Sequence, residues 1–462
     1  MDKLSSYLVI SPPFLQDNEP SSVILFATRT GATYQLPRAT WEKLSNNEFS
    51  AMPDSMLTEL RQAKVLVPYE ENELRTILNE NRNAIENNKH LNYVIQPTAH
   101  CQLGCGYCGQ QHSRVQLSEI NEQAIVEDVR RRLAAGKFAE LNLCWFGAEP
   151  LAGMRGMRSL TPLLKRVAEA AGSEYRASII TNGLAMSPSV GAELVDDLHV
   201  VSITVSLDGT AAYHDARRHT KMGRATYNRI LANLLSLVAA VGERPVEIKV
   251  RCNVDRENAD GVIPLLHELH ERGIHRRIQF YVAPIHGWGN DAHLRSLGPE
   301  EFAELEIAWL CEMAMLGFNV SLIPAVQRVV CLAVQPQAAL VDAHGGLFNC
   351  TEVSYVPAYG DPNTYSLGNV RQGESGSARA LLGNFNDEVE AGRYDCGSCR
   401  MLPVCGGACP KEWDEGRKPC PSAKRNMPER LLLAMALPRI AAGGTPTDAD
   451  HLRRRSVAAP LA

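Results

Sequence analysis

The sequence lacks the features that direct a chain into or across a membrane. No apolar run in its 462 residues approaches the roughly 20 residues that a membrane-spanning helix needs. The N-terminus, MDKLSSYLVISPPFLQDNEP, has no basic region, apolar core and small-residue cleavage site of the kind found in signal peptides. The chain also has no excess of positive charge, because it contains 47 basic and 52 acidic side chains. We therefore expect a cytoplasmic protein that binds neither membrane nor nucleic acid.

Cysteine, by contrast, is abundant, with 13 residues. Disulfides are rare in a reducing compartment, so clustered cysteines there indicate metal binding or redox chemistry. One group comprises Cys101, Cys105 and Cys108, and a second comprises Cys331, Cys350, Cys396, Cys399, Cys405, Cys409 and Cys420. Cys144, Cys252 and Cys311 interrupt apolar runs instead, and we expect them to be buried structural thiols.

Residues 1–88 have the pattern of a small strand-and-helix module. Apolar runs flank a turn at Thr30-Gly31, and two helical patterns follow, the second with Asp54 as its expected N-cap. This order predicts a winged-helix-like module that ends in a connecting helix. At the other end, residues 426–462 predict a helix followed by a mobile tail rich in small and charged residues.

Residues 89–322 alternate short apolar runs with amphipathic segments, six times in succession. This alternation predicts an α/β fold, a partial (β/α)6 TIM-like barrel with parallel strands, whose chemistry lies at the carboxyl ends of the strands. Residues 323–425 have weak periodicity and many cysteines, so we expect a loop-rich domain that bound metal orders.

The first cysteine group, in AHCQLGCGYCGQQH, directly follows the apolar run NYVIQP. Three thiols at this spacing can bind one iron–sulfur cube and leave its fourth iron without a protein ligand. Structural zinc takes four protein ligands, so a zinc knuckle would need His100 or His112, and this alternative stays open.

The spacing C-x-x-x-C-x-x-C, with Tyr107 just before the last cysteine, resembles the signature of the radical S-adenosylmethionine (SAM) enzymes. The resemblance implies that these three thiols bind a [4Fe–4S] cluster and that Tyr107 lies in the SAM site. The segment WFGAEP is similar to the G-G-E-P motif of the same family, which contacts the amino group of SAM. The matching residues are Gly147, Ala148, Glu149 and Pro150, where Ala148 replaces the usual second glycine.

Three further residues match SAM-binding positions of that family. SITVSLDG and YHDARRHTKMGRATYNRI resemble its fourth strand and the segment that follows, which implies that Ser206 and Arg218 hold the ribose or carboxylate of SAM. Asn253, in RCNVD, falls where the fifth strand supplies a polar contact. Without the resemblance, Ser206, Asp208 and Asn253 fit helix caps and turns equally well.

The second cysteine group resembles the SPASM extension of radical SAM enzymes. By this resemblance, Cys396, Cys399, Cys405 and Cys420 bind one auxiliary [4Fe–4S] cluster, and Cys331, Cys350 and Cys409 bind another. The fourth ligand of the latter stays open, with Cys311 the less favoured thiol. From the spacing alone, a double zinc site is the alternative.

The resemblance implies a reductive mechanism. An electron from a donor such as a flavodoxin or ferredoxin cleaves SAM to a 5′-deoxyadenosyl radical, which removes hydrogen from an unactivated carbon. The auxiliary clusters then accept the electron left on the substrate, so the substrate is oxidised. Tyr281, His286, Trp288 and Glu352 lie in loops that we expect near the substrate pocket.

SPASM relatives chiefly modify peptides and proteins, and the N-terminal module resembles the element with which ribosomal-peptide (RiPP) maturases bind a leader peptide as an added strand. We therefore expect a C–C, ether or thioether crosslink in a ribosomally made precursor peptide. One alternative is an anaerobic sulfatase-maturing enzyme that makes formylglycine. Such relatives carry an aspartate directly after the cysteine that matches Cys350, whereas this chain has Thr351 and then Glu352. Another alternative is a zinc-stabilised peptide-binding protein without catalysis.

Overall fold

A computed structural model describes residues 1–15, 21–375 and 379–441. The N-terminal elements are β1 (Asp2–Leu4), β2 (Leu8–Ile10), β3 (Ser22–Ala27), β4 (Ala32–Pro37), α1 (Arg38–Ser45), α2 (Asp54–Gln62), β5 (Leu66–Pro68) and α3 (Glu73–Glu86). Strands β2, β3 and β4 form an antiparallel sheet in that order, and β1 pairs with β5. The expected strands, the two helices and the connecting helix are all present.

Local chemistry explains the turn and the helix start in this region. The backbone N–H groups of Thr30 and Gly31 both donate to the Ala27 carbonyl, at 3.2 and 2.9 Å, and Gly31 adopts a φ of 76°. The predicted N-cap is displaced by one residue: Pro53 occupies the cap position, and Asp54 lies in the first turn of α2. There its negative charge still favours the helix, because it faces the positive end of the helix dipole.

The central region contains the predicted parallel strands in chain order. They are β6 (His90–Ile95), β7 (Glu140–Trp145), β8 (Glu174–Thr181), β9 (Val200–Ser206), β10 (Glu247–Val254) and β11 (Gln279–Pro284). Each strand pairs in parallel with the next. The α/β class with a large, mostly parallel sheet is therefore confirmed.

Helices follow these strands and cover the sheet. They are α4 (Glu119–Ala135), α5 (Met154–Ala170), α6 (Pro188–Asp196), α7 (Ala211–Arg217), α8 (Tyr227–Val241), α9 (Val262–Glu271) and α10 (Pro299–Met315). In α5 the buried side chains Met157, Leu160, Leu164 and Val167 recur every three or four residues, which places them on one face toward the sheet. This face joins a large core that extends from β6 to α10.

The C-terminal region extends the same sheet. Its elements are β12 (Ala339–Val341), β13 (Gly346–Phe348), β14 (Gly368–Asn369), β15 (Gly373–Glu374), α11 (Ala380–Gly383), α12 (Phe385–Glu390), α13 (Leu402–Cys405), α14 (Pro410–Asp414) and α15 (Ala423–Ala441). Strand β12 pairs in parallel with β6, so the sheet continues across the boundary expected at residue 323. The predicted C-terminal helix corresponds to α15, and the predicted tail after residue 441 lies outside the described residues. Among the helices that are described, none has the length and apolar character needed to cross a membrane.

Strand β3 joins the N-terminal module to the cysteine-rich region. All six of its residues are buried, so both faces of the strand are covered. Val23, Leu25 and Ala27 face the module's own core, with α1 and α2. The alternate residues Ile24 and Phe26 pack with Met401, Val404, Met427 and Leu431 of the C-terminal region. The module is therefore attached to the segment that carries the second cysteine group.

Candidate active site and cysteine clusters

Polar side chains collect at the carboxyl ends of the parallel strands, as the sequence predicts. The first cysteine group lies in the loop after β6, and residues 147–150 follow β7. The carboxyl ends of β8, β9 and β10 carry Thr181, Ser206 and Asn253, respectively. Because the strands are parallel, these ends meet at one edge of the sheet.

The three thiols of the first group lie in the loop after β6, where Cys101 is buried, Cys105 is half-buried and Cys108 is exposed. Burial, the neighbouring Glu149 carboxylate and the thiols of Cys105 and Cys108 together raise the pKa of Cys101 to about 12. Burial also raises the pKa of Cys105 and of Cys108. Thiolates are the form that binds iron, and the positive charge of a cluster would stabilise three of them in such a place. The donor set therefore suits a [4Fe–4S] cluster.

Glu149 is completely buried beside these thiols. Its Oε1 accepts bonds from the Leu151 backbone N–H at 3.0 Å and from the Thr181 hydroxyl at 2.6 Å, and its Oε2 accepts from the Asn182 backbone N–H at 2.8 Å. Burial raises the pKa of this carboxyl even though the three donors oppose the shift. A carboxylate has about four acceptor positions, so one remains for a ligand donor such as the ammonium group of SAM.

The two residues before Glu149 have an unusual backbone. Gly147 has a φ of 77°, and a Cβ there would lie 2.3 Å from the side chain of Gln96. Ala148, which stands where the family motif has glycine, has a φ of 37°, and its N–H donates to Gln110 Oε1 at 3.1 Å. A positive φ is uncommon for a residue with a Cβ, so the alanine methyl is accommodated at a cost in backbone strain. Pro150 then begins a 3₁₀ turn, Pro150–Gly153.

Asp208 is the centre of a buried network that contains three of the predicted SAM-site residues. Its carboxylate accepts bonds from the Tyr107 hydroxyl at 2.6 Å and from the backbone and side-chain N–H groups of Asn253 at 3.0 and 3.1 Å. Arg218 lies 3.7 Å from the same carboxylate and donates to the Tyr107 hydroxyl. Burial opposes ionisation of Asp208, but the Arg218 charge, His214 and the hydrogen bonds from Tyr107 and Asn253 together outweigh it and lower its pKa.

Sequence reasoning missed two members of this network. Arg217 makes a bidentate ion pair with Asp255 at 2.7 and 2.8 Å, and its guanidinium lies over the ring of Tyr107 at 5.2 Å. His214 Nδ1 accepts from the Asp208 N–H at 3.2 Å. The adjacent arginines of DARRH are the only local signal, since Asp255 is 38 residues away along the chain. Ser206 is buried at the end of β9, where its backbone lies opposite Arg251 of β10.

Four of the SPASM-like cysteines line one small cavity, with a volume of about 10 Å³. They are Cys396, Cys399, Cys405 and Cys420, the same four that the resemblance assigns to one cluster. Burial raises the pKa of Cys396 to about 12 and that of Cys405 to about 11. Lys424 Nζ donates to Cys420 Sγ at 3.5 Å, so one cation already faces the thiols.

The other three SPASM-like cysteines also lie near one another. Burial raises the pKa of Cys331 to about 11, and the nearby Cys409 thiol adds to the shift. Burial raises the pKa of Cys350 as well, and Glu352, Cys409 and Cys331 add to it. Cys311 lies on α10, half-buried beside Glu312.

Within the described part of the chain, no three His, Cys, Asp or Glu side chains are close enough together to bind a single metal ion. Of the isolated thiols, Cys252 is fully buried, whereas Cys144 and Cys311 are half-buried, so the expectation of burial is met in full only by Cys252.

The expected pocket-lining residues have different surroundings. Tyr281 is 39% exposed on β11, opposite Arg251. His286 pairs with Glu412 at 3.2 Å, and the ring of Trp288 covers Lys411. Of these four residues, Glu352 acts on both cysteine groups. Burial is the main cause of the raised pKa of Cys108 and of Cys350, and the Glu352 charge adds to both.

The match to known proteins agrees with this site. Residues 95–243, which carry the first cysteine group and the segments after β7 and β9, match the model of the Radical SAM superfamily. Within these residues the chain therefore carries a radical SAM domain. The superfamily implies a [4Fe–4S] cluster and SAM as cofactors, and the donor set described above fits both.

Curated relatives and solved structures extend the comparison. An uncharacterized protein of Synechocystis sp. is 29% identical over 145 residues, which are 29% of this chain and 34% of that protein. The serine-type anaerobic sulfatase-maturating enzyme of Klebsiella aerogenes is 29% identical over 137 residues, 29% of this chain and 33% of the enzyme. The matches thus span about a third of each relative. The structure of native anSMEcpe with bound AdoMet and Cp18Cys peptide has a TM-score of 0.55 at 18% identity, over 77% of this chain and 98% of that one, which shows a shared fold.

Proposed function

We propose that this protein is a radical SAM oxidoreductase that modifies a side chain of a ribosomally made precursor peptide and forms a C–C, ether or thioether crosslink. The observation that carries the proposal is that the Glu352 charge raises the pKa of both Cys108 and Cys350. In this proposal the first cysteine group and a SPASM-like group lie on two sides of one site. The name of the Klebsiella relative, which describes an enzyme that matures another protein, supports a peptide or protein as the substrate.

The first cysteine group and the residues after β7 have distinct roles in this proposal. Cys101, Cys105 and Cys108 hold the cluster, and bound SAM supplies a 5′-deoxyadenosyl radical that removes a hydrogen atom from the substrate. Glu149 accepts the SAM ammonium group at its remaining acceptor position. Gly147 allows the backbone to pass close to Gln96 and brings Glu149 to the site.

Asp208 orients the other side of the SAM site. It fixes Tyr107, Arg218 and Asn253 through the bonds described above, so these side chains point in set directions before SAM binds. Arg218 Nε is buried without a protein partner and can donate to the SAM carboxylate or ribose. Ser206 lies at the neighbouring strand end and contributes its hydroxyl.

The oxidation must also remove an electron and a proton from the substrate. The four-cysteine and three-cysteine SPASM-like groups would hold auxiliary clusters, which would supply an acceptor for the electron. Glu352 takes the proton, because it is the carboxylate near both Cys108 and Cys350. The substrate loses two hydrogens for each crosslink. One leaves as a hydrogen atom to the radical, and the other leaves as the proton and the electron.

The N-terminal module recognises the leader segment of the precursor peptide. Strand β4 is an edge of the three-stranded sheet, and four of its six residues are only half-buried. An extended peptide can pair with such an edge through main-chain hydrogen bonds. The winged-helix-like character, the domain boundaries and a flavodoxin or ferredoxin as electron donor belong to the same proposal.

The proposal is tested first by anaerobic reconstitution with iron and sulfide, followed by SAM and a strong reductant. We expect iron for three cubes and release of 5′-deoxyadenosine, and we expect Cys101→Ala to abolish that release. The matched control is Cys144→Ala, which removes a half-buried thiol outside all three groups and should keep both iron and release. Zinc in place of iron would instead support a zinc-stabilised binding protein.

Formylglycine formation is the second candidate, and Glu352 is also the observation that favours it. In that reaction the carboxylate would remove a proton from the oxidised serine or cysteine side chain. A sulfatase-derived peptide and a precursor peptide with its leader, incubated side by side and analysed by mass spectrometry, separate the two. Crosslinking shows as a loss of two hydrogens with linked fragments, whereas an aldehyde on the sulfatase peptide would overturn the crosslinking proposal.

A further inference from the structure

A short turn after α7, residues 219–224, lies against the loop that carries the first cysteine group. The Lys221 backbone N–H donates to the Gln102 carbonyl at 3.0 Å. Next to this bond, Leu103 and Thr220 form an antiparallel bridge. The 219–224 turn is therefore held by its backbone to the cysteine loop, beside the site proposed for the first cluster.

The side chains of this turn cover the loop and are open to solvent. A Cβ on Gly104 would lie 3.6 Å from Lys221 Cα and 3.8 Å from Lys221 Cγ, so the aliphatic stem of the lysine lies over this glycine. Lys221 and Arg224 are exposed, and Met222 between them is 78% exposed. The turn thus presents two cations around an apolar side chain.

These two cations have no carboxylate partner among the residues that the structure describes. The exposed Arg244, by comparison, pairs with Asp196. A third exposed and unpaired cation within the same described residues, Arg114, is attached to the cysteine loop as well, because the residues before and after it share backbone hydrogen bonds of 3.0 Å with Ala99. The chain as a whole has a net charge of −5, so this positive surface differs from its average character.

A positive surface at this place suits an acidic electron carrier. In the proposed function, each cleavage of SAM consumes one electron, which must reach the first cysteine group from outside the protein. Opposite charges on two proteins speed their association, and transient complexes of redox proteins have small interfaces. An exposed methionine between cations supplies an apolar contact inside a charged rim, which is the usual composition of an interface.

We propose that the 219–224 turn is the docking surface for a small, acidic, one-electron carrier protein of the flavodoxin or ferredoxin kind. The inference rests on the proposed function, since this carrier supplies the electron that cleaves SAM. The carrier is oxidised by one electron and the first cysteine site is reduced by one, and no atom is transferred between the proteins. Lys221 and Arg224 attract carboxylates of the carrier, and Met222 makes the apolar contact.

The first test measures binding of a purified acidic flavodoxin to the reconstituted full chain by surface plasmon resonance. The double variant Lys221→Glu, Arg224→Glu should associate roughly tenfold more slowly at about 0.1 M salt, where charges act over about 10 Å. At about 1 M salt, the variant and the wild type should associate at similar rates, because the charges are screened. The matched control, Lys43→Glu with Arg75→Glu, reverses two exposed cations of the N-terminal module and should bind as the wild type does.

The second test separates docking from damage to the cysteine loop. Release of 5′-deoxyadenosine is measured with reduced flavodoxin and, in parallel, with reduced methyl viologen, a small cation that needs no docking surface. We expect the Lys221→Glu, Arg224→Glu variant to lose most of its release with flavodoxin and to keep it with viologen, at unchanged iron content.

Three results would contradict this reasoning in different ways. Unchanged flavodoxin binding by the double variant would overturn the inference, also if the variant bound an acidic peptide less tightly, since the turn would then serve the substrate. Loss of release with both reductants, or loss of iron, would show that the turn supports the cysteine loop and does not dock a carrier. No release from the wild type with viologen would contradict the proposed function itself, and the inference with it.

Discussion

Replacing Asp208 with asparagine tests the buried network at the proposed SAM site. The change keeps the shape of the side chain but removes the charge that faces Arg218 at 3.7 Å and Arg217 at 3.9 Å. It also puts an NH₂ group where one carboxylate oxygen accepts a hydrogen bond. Arg218 is only 6% exposed, so water cannot replace the lost charge. Removing one partner of a buried ion pair costs about 3–5 kcal/mol, and we expect a loss in this range.

Hydrogen exchange is the suitable assay, because a chain with several regions and cofactors does not unfold in one step. The free energy of opening at the protected amides of β10 should fall by that amount in Asp208→Asn. The control is Asp196→Asn, which breaks the exposed pair with Arg244 and should cost less than about 1 kcal/mol. Equal effects of the two variants would refute the view that Asp208 compensates a buried charge.

Three other predictions concern the strand-end loops and the clusters. Gly147→Ala should lower the melting temperature, because its Cβ would meet a side chain at 2.3 Å, whereas Ala148→Gly should leave it unchanged or raise it. The pKa of His214 is lowered to about 4, chiefly by burial, so the unfolded chain binds a proton at a higher pH than the folded chain does. The free energy of unfolding should therefore fall by about 2 kcal/mol between pH 7 and pH 5. Hydrogen exchange across this range should show a smaller slope for His214→Gln, and an equal slope would contradict the assignment. Iron analysis of Cys405→Ala should show a loss of about four iron atoms per chain, unlike Cys144→Ala.

The fold was predictable where the sequence has a strong local period. The six apolar runs and the amphipathic segments between them correspond to β6–β11 and their helices because burial on a parallel sheet imposes those patterns. The pairing of β12 with β6 was not predicted. Its three residues, Ala339–Val341, are too few to have a period, and they join a strand more than 240 residues earlier.

The candidate site was predictable where a motif is contiguous in the chain. The first cysteine group and residues 147–150 were found in this way, since each lies in one loop after one strand. The ion pair of Arg217 with Asp255 joins loops after different strands and leaves no local pattern. Asp208 was visible in SLDG, but its role as the common acceptor of Tyr107 and Asn253 depends on tertiary contacts.

The packing of β3 on both of its faces has a consequence for the sensitivity of the protein to oxygen. Ile24 and Phe26 rest on Met401 and Val404, which lie between Cys399 and Cys405 in the chain. In the proposed function this cysteine group holds an auxiliary cluster and the N-terminal module binds the leader peptide. Loss of that cluster to oxygen would loosen the packing of Met401 and Val404 against β3, so a damaged molecule would lose its peptide together with its iron.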